Sequence, residues 1–369
     1  MQFTKRDTNA VKGFAILMMM FHHLFLDASR YKGFEINFAP LGEEKTVLIA
    51  QFCKICVAVF VFLSGYGIAY SLKNIDKNDN LAYKKQISKR YFSLMSGFWF
   101  VYIVCVALAA IFERSMFSVY EANNMVNTVL YVIADFMGLS ELFGTPIFIG
   151  TWWYMSLAII IVAIMPLLYK LYEKFGTIAL LITTMLFCGI FEQKNYDMVR
   201  WTFTLALGII FSEKNLLTKI KEFRFIKKNK VIDYLLKLVL YSGIIVGCMY
   251  LRTYAGWEVS YLRDGIIPTL VIIWCYTILS EIKFLYVAIE FIGKHSMDIF
   301  LSHTLLRGYI LKDFIYSQKY SLVIFVVLTV LSLVFAIVID LLKKITGYKK
   351  FVSFVTAKIT GYEKIEKTS

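Results

Sequence analysis

The residues of this chain best suited to chemistry are histidines and a lysine set into apolar runs. Lys12 and His23 both fall in Asn9-Ala-Val-Lys-Gly-Phe-Ala-Ile-Leu-Met-Met-Met-Phe-His-His-Leu-Phe-Leu26. On an α-helix that spacing leaves them roughly 20° apart around the axis and about 16 Å apart along it, so they share a face. His22 points away from that line. Ionisable groups are costly at membrane depth and mark function there. The other two histidines, His295 and His303, belong to Gly293-Lys-His-Ser-Met-Asp-Ile-Phe-Leu-Ser-His303. His303 is expected roughly 10–12 Å inside its span, near mid-membrane. A buried neutral imidazole accepts a proton, which suits a general base in acyl transfer. His22 and His295 read as structural or interfacial. Zinc would need three or four convergent ligands, and the chain has no HxxxH pair or matching Cys/His set, so no metal is expected.

Three further constellations accompany the histidines. Lys84-Lys85-Gln-Ile-Ser-Lys89-Arg90 precedes an apolar run. It reads either as a topogenic cytoplasmic cluster or as a phosphate cradle at a helix entrance. In Phe60-Val-Phe-Leu-Ser-Gly-Tyr-Gly, the small residues Ser64, Gly65 and Gly67 admit another helix or a ligand to close range. In Gly150-Thr-Trp-Trp-Tyr-Met-Ser156, Trp152 and Trp153 form either part of an interfacial aromatic belt or a platform for a sugar ring.

The elements that must carry these residues are membrane helices. The chain has 369 residues, is 59% hydrophobic and has a mean hydropathy of +0.65. Apolar runs of about 15 to 25 residues recur from end to end. The predicted fold is all-α, a polytopic membrane bundle of about ten transmembrane helices over 10–26, 48–72, 91–112, 152–170, 176–191, 199–211, 231–250, 266–280, 296–311 and 321–342. A weaker run, 124–139, contains Asn127 and Asp135. Charge decides its placement. With both termini cytoplasmic and 124–139 not crossing, 27 of the 40 Lys and Arg lie on the inner side. If it crossed, the basic loop Lys214–Lys230 would move outside. Residues 113–150 are therefore expected to form an outer loop with a re-entrant or surface helix. The net charge of +14 sits between apolar runs, which argues for membrane topology and against nucleic acid. The six cysteines lie almost wholly in apolar runs and read as packing, Cys53-Lys-Ile-Cys56 included. The first run lacks a small-residue cleavage site and reads as an uncleaved span. Residues 1–342 make the membrane-embedded domain. Residues 343–369 form a basic tail suited to lie on anionic lipid, or alternatively to dock a partner. No internal repeat supports a duplicated transporter.

Taken in order, these motifs resemble the acyltransferase-3 family of integral membrane acyltransferases. Lys12 and His23 match its basic residue, ten residues, histidine pattern, with lysine where arginine is usual. Phe60-Val-Phe-Leu-Ser-Gly-Tyr resembles its Phe-Leu-Ser-Gly motif. The basic run resembles its Arg-x-x-Arg element, with Gln86 and Lys89 in the arginine places. Trp153-Tyr-Met-Ser-Leu with Pro166-Leu-Leu resembles its fifth-span motif, and Gly293 to His303 its late Gly-x-x-Ser…Leu-x-His motif. The resemblance spans about residues 7–340. It implies a bacterial cytoplasmic-membrane enzyme that moves an acyl group, usually acetyl, from cytoplasmic acyl-CoA to a hydroxyl of a surface glycan or its lipid-linked precursor. Acetyl-CoA would be a donor substrate, with no permanently bound cofactor. Lys85, Lys89 and Arg90 would hold its phosphates, and its arm would pass Ser64 and Gly65. His23 would deprotonate the acceptor or take the acyl group first. Lys12 would orient the donor or a group behind it, His303 would steady the thioester or the second histidine, and Trp152 and Trp153 would meet the sugar. The rivals are a glycan or lipid transporter without acyl chemistry, and a non-catalytic scaffold. Acyl-CoA consumption and a heavier acceptor separate the enzyme from both.

Overall fold

A computed structural model of the chain describes residues 2–73, 75–76, 79–192, 198–254 and 259–361. Among them are α-helices and short 3-10 and π turns, with one isolated bridge, Asn37 to Tyr320, and no strand. In chain order the helices are α1 (Lys5–Phe25), α2 (Glu43–Phe52), α3 (Cys56–Leu72), α4 (Asn80–Phe112), α5 (Met125–Phe136), α6 (Ser140–Phe143), α7 (Trp153–Glu192), α8 (Trp201–Glu213), α9 (Leu216–Glu222), α10 (Lys230–Thr253), α11 (Ser260–Thr277), α12 (Lys283–Lys294), α13 (Ser296–Leu305), α14 (Lys312–Tyr316), α15 (Ser321–Ile345) and α16 (Tyr348–Thr360).

Local chemistry sets several boundaries. Thr4 opens α1 with a capping box: its hydroxyl accepts from the Asp7 amide, and the Asp7 carboxylate accepts from the Thr4 amide at 2.8 Å. Asp79 caps α4, accepting from the Ala82 amide at 2.8 Å. The expected spans 152–170 and 176–191 run together in α7, broken at Gly176, where φ is +79°. Among the described residues, six segments are long and apolar enough to cross a membrane: Glu43–Leu72, Asn80–Phe112, Gly150–Phe191, Lys230–Thr253, Ser260–Glu281 and Ser321–Ile345. The expected span 199–211 is α8, only 13 residues and about 20 Å long.

The cytoplasmic piece expected between the spans 266–280 and 296–311 carries a helix, α12 (Lys283–Lys294). Its buried Tyr286, Ile289 and Gly293 recur at helical spacing and make a packing face. The basic run Lys84–Arg90 does not precede a helix; it lies within α4, which begins at Asn80. The segment 113–150, expected as an outer loop with a re-entrant or surface helix, contains α5. At 12 residues, α5 is about 18 Å long, short of the roughly 30 Å hydrocarbon layer.

The helices group into two compact units. The first comprises Met1–Lys73, Leu167–Ser296 and Tyr316–Val326. Two glycine crossings organise it. A Cβ at Gly13 would overlap the Ile289 carbonyl oxygen and one at Gly293 the Asn9 carbonyl oxygen, so α1 and α12 meet backbone to backbone. Arg6 pairs with Glu290 at 3.0 Å beside that crossing. The second crossing joins α3 to α8. A Cβ on Gly65 would lie 2.7 Å from the Leu205 oxygen, and one on Gly208 2.5 Å from the Phe62 oxygen.

The second unit comprises Asn74–Pro166, Met297–Ile315 and Val327–Ser369. Its core is aromatic. Phe98, Tyr102 and Phe148 surround Trp152, whose ring centroid lies 5.2 Å from that of Phe98 and 5.1 Å from that of Tyr102. Asp298 of α13 and Lys343 of α15 form a buried ion pair at 2.6 Å. The tail helix α16 lies along α4, where the Tyr348 hydroxyl donates to the Ser96 carbonyl at 2.8 Å.

Candidate active site

In the first unit, α1 carries Lys12 and His23, both half-buried. Gly13 presses the Lys12 turn against α12, which fixes the height of the helix. His22 fixes its rotation. It is 7% exposed, and its Nδ1 lies 2.8 Å from the Ala50 carbonyl oxygen of α2. A carbonyl only accepts, so Nδ1 carries the proton. The His22 ring then meets that of His23 edge-on, with centroids 5.1 Å apart. Arg30 closes the helix end by donating to the His22 carbonyl at 2.9 Å. Three cations, Arg30, Lys54 and Arg252, act electrostatically on His22, so this end of α1 lies in a positive field. His22 is thus the anchor that orients its neighbour.

Ser64 and Gly65 belong to different faces of α3. The space that Gly65 leaves open is filled by the α8 backbone, so its lack of a side chain serves helix packing and leaves no passage for a pantetheine arm. Ser64 is half-buried, and its hydroxyl donates to the Phe60 carbonyl at 2.8 Å. Gly67 shares the Ser64 side, and a Cβ there would meet no atom within 4 Å. A ligand running along α3 would follow Ser64 and Gly67.

In the second unit, His303 is fully buried. Its Nδ1 lies 2.9 Å from the Phe300 oxygen and 3.2 Å from the Ile299 oxygen, which places the proton on that nitrogen. Nε2 is then the basic nitrogen. It lies 3.2 Å from the Thr304 hydroxyl, which lies 3.3 Å from the Thr151 hydroxyl. A path of polar hydrogens therefore leads from the base nitrogen to the start of α7. The two threonines carried no signal in the sequence beyond their nearness to a histidine and a tryptophan motif.

Trp152 departs from the expected sugar platform. It is 2% exposed, its faces are packed by Phe98 and Tyr102, and its indole N–H donates to the Leu301 carbonyl at 2.8 Å. It binds α7 to α13 and has no face left for a ring to stack on. Trp153 is half-buried and keeps that option.

The basic face of α4 has Lys84 and Lys89 exposed, and Lys85 and Arg90 half-buried. Asp79 already occupies the helix N-terminus, so the cluster offers an anion its side chains and not the terminal amides. The far end of α16 reaches the same face: a Cβ on Gly361 would lie 2.9 Å from Lys85 Nζ. Among the described residues no group of three His, Cys, Asp or Glu is placed to hold a metal ion, and the six buried cysteines form no disulfide.

Comparison with known proteins places this geometry. A family model described as an acyltransferase domain matches residues 6–341, nearly the whole chain. The chain belongs to the acyltransferase-3 family. No curated protein and no solved structure shows a significant match. The family and the long apolar helices together make this a multi-pass membrane protein.

Proposed function

We propose that this acyltransferase-3 protein is an O-acetyltransferase of a bacterial cytoplasmic membrane, moving an acetyl group from cytoplasmic acetyl-CoA to a hydroxyl of a surface glycan or its lipid-linked precursor. The observation that carries the reading is the arrangement on α1. There a half-buried His23 shares a face with Lys12, while His22 holds the helix in place through the Ala50 carbonyl. In the reaction His23 removes the acceptor's hydroxyl proton, or is itself acylated first; either way the thioester carbon–sulfur bond breaks, and CoA leaves as the thiol once a proton returns to sulfur. Lys12, about 16 Å along the helix, is too far for a hydrogen bond to His23 and orients the donor. In the second unit Lys85, Lys89 and Arg90 hold the donor phosphates; in the first, Ser64 and Gly67 leave one side of α3 open to a ligand. His303, proton on Nδ1, presents Nε2 to the thioester side. Trp153 meets the sugar. The donor is a substrate, so no cofactor stays bound. The chain crosses the membrane ten times with both termini cytoplasmic, which keeps most Lys and Arg inside.

The test is the O-acetyl content of surface glycans, measured by mass spectrometry in host cells expressing wild type, His23→Ala or no protein. Acetylation is expected with wild type only, a loss of at least about 10²-fold in the variant, at equal protein level in the membrane. Full acetylation by His23→Ala would overturn the role of His23. Substrate movement without acyl-CoA consumption would favour a transporter.

A further inference from the structure

Arg307 is the one arginine in the apolar run 296–311. Its Nε is buried and has no hydrogen-bond partner among the described residues. A guanidinium set into an apolar segment is costly unless a counter-charge or a fixed acceptor meets it. The backbone around it is unusual as well. Leu306–Ile310 form a π turn, closed by the Leu311 amide donating to the Leu306 carbonyl at 2.9 Å. Such turns widen a helix and re-aim its side chains, and they are frequent at functional positions. Arg307 follows the fully buried His303 by one turn.

Its place along the unit says which substrate it faces. The start of α7 runs antiparallel to α13: Tyr154 meets Phe300, Trp152 meets Leu301 and Thr151 meets Thr304. The same segment runs antiparallel to α4, since Trp152 packs on Phe98 and Phe148 on Tyr102. Helices α4 and α13 therefore point the same way. Lys85, Lys89 and Arg90 lie before the Trp152 level, and Arg307 lies after it. At about 1.5 Å per residue the separation is on the order of 20–30 Å. Arg307 stands at the end remote from the cluster assigned to the donor phosphates.

We propose that Arg307 anchors an anionic oxygen group, a phosphate or carboxylate, carried by the acyl acceptor. The assignment of that end to the acceptor rests on the acyl-transfer reading above. A planar guanidinium suits such a group because it donates in a fixed fork, whereas lysine offers only a point charge. The plain alternative is an arginine that snorkels to the membrane surface, a role that lysine fills equally well.

Full-length protein in lipid nanodiscs is titrated with three probes: a polyprenyl-phosphate-linked glucose, an alkyl glucuronide and a neutral alkyl glucoside. Acetyl-CoA binding is measured in parallel on wild type, Arg307→Lys and Arg307→Gln. Wild type is expected to prefer one of the anionic probes to the glucoside, and which one it prefers tells phosphate from carboxylate. Both variants should lose that preference by about tenfold or more, while their affinities for the glucoside and for acetyl-CoA stay within about twofold. Retention of the preference in Arg307→Lys, absence of any preference in wild type, or an equal loss of acetyl-CoA binding would each overturn the proposal. If wild type bound no acetyl-CoA, the donor reading would fall, while the anion preference would still decide the role of Arg307.

Discussion

At the residue scale, two adjacent pairs divide into anchor and worker. His22 holds α1 through the Ala50 carbonyl, beside the half-buried His23 proposed as the base or nucleophile. His22→Gln keeps an N–H donor and is expected to retain transfer within about tenfold, whereas His22→Ala leaves a buried carbonyl unmet, at about 1–3 kcal/mol. Comparing transfer rate and thermal midpoint in the two variants checks this; equal behaviour would remove the anchoring role. Trp152 and Trp153 divide in the same way. Trp152→Ala should cost about 3–5 kcal/mol, because it empties the aromatic core between α4 and α13. Trp152→Phe loses mainly the bond to Leu301, about 1 kcal/mol, and should keep the acceptor KM. Trp153→Ala should instead raise that KM with little change in thermal midpoint. A raised KM in Trp152→Phe would restore Trp152 as a sugar platform.

At the element scale, glycine decides where helices touch. Alanine at Gly293 must push α12 off α1, because its Cβ would overlap the Asn9 carbonyl. The expected cost is about 1–3 kcal/mol, with a loss of transfer because the Lys12 turn moves. Gly243→Ala in α10 is the control: nothing lies within 4 Å of its Cβ, and alanine there should be neutral or mildly stabilising. Equal melting of the two variants would dispose of the crossing as a constraint. The segment 113–150 has its own switch. The Tyr120 hydroxyl and the Phe148 amide both donate to the Asp135 carboxyl, which is 1% exposed. Both donors favour the charged form, but burial outweighs them and pushes the carboxyl above its usual range. A carboxyl raised on folding stabilises the segment fully below its unfolded value, near about 4, and that contribution fades as pH rises through the raised value. Proteolytic nicking of 113–150 should therefore increase with pH in wild type and vary less in Asp135→Asn. Identical pH profiles for the two proteins would rule this out.

At the scale of the whole molecule, the open quantity is the number of crossings. Among the described residues, six segments meet the length and apolarity that a span needs. Ten crossings also require α1, α8 and α13 with its π turn to traverse, and α7 to divide at Gly176. A fluorescent protein fused after Ser369 is expected to fold and fluoresce in the cytoplasm. A single cysteine introduced near Met125, in a background with the six native cysteines replaced, is expected to label with an impermeant reagent from outside. A dark C-terminal fusion, or labelling from the inside only, would refute the topology.

The sequence alone determined the class of protein. Apolar runs, basic loops and the Lys12–His23 spacing follow from local composition and helical period, which need no partner to be read. The family assignment came from the same motifs in order, and a match over residues 6–341 carries it. What each small or aromatic residue touches was decided only by the tertiary structure. Gly65 could admit another helix or a ligand, and α8 takes the space; Trp152 could belong to an interfacial belt or a sugar platform, and it is core. Between the spans 266–280 and 296–311, the buried face Tyr286, Ile289 and Gly293 is defined by what α12 packs against. The His303–Thr304–Thr151 path and the Asp135–Tyr120 bond join residues 15 or more positions apart for the same reason. Periodicity reports the face a residue occupies. Which helix covers that face depends on contacts distant in the chain, and no local pattern encodes them.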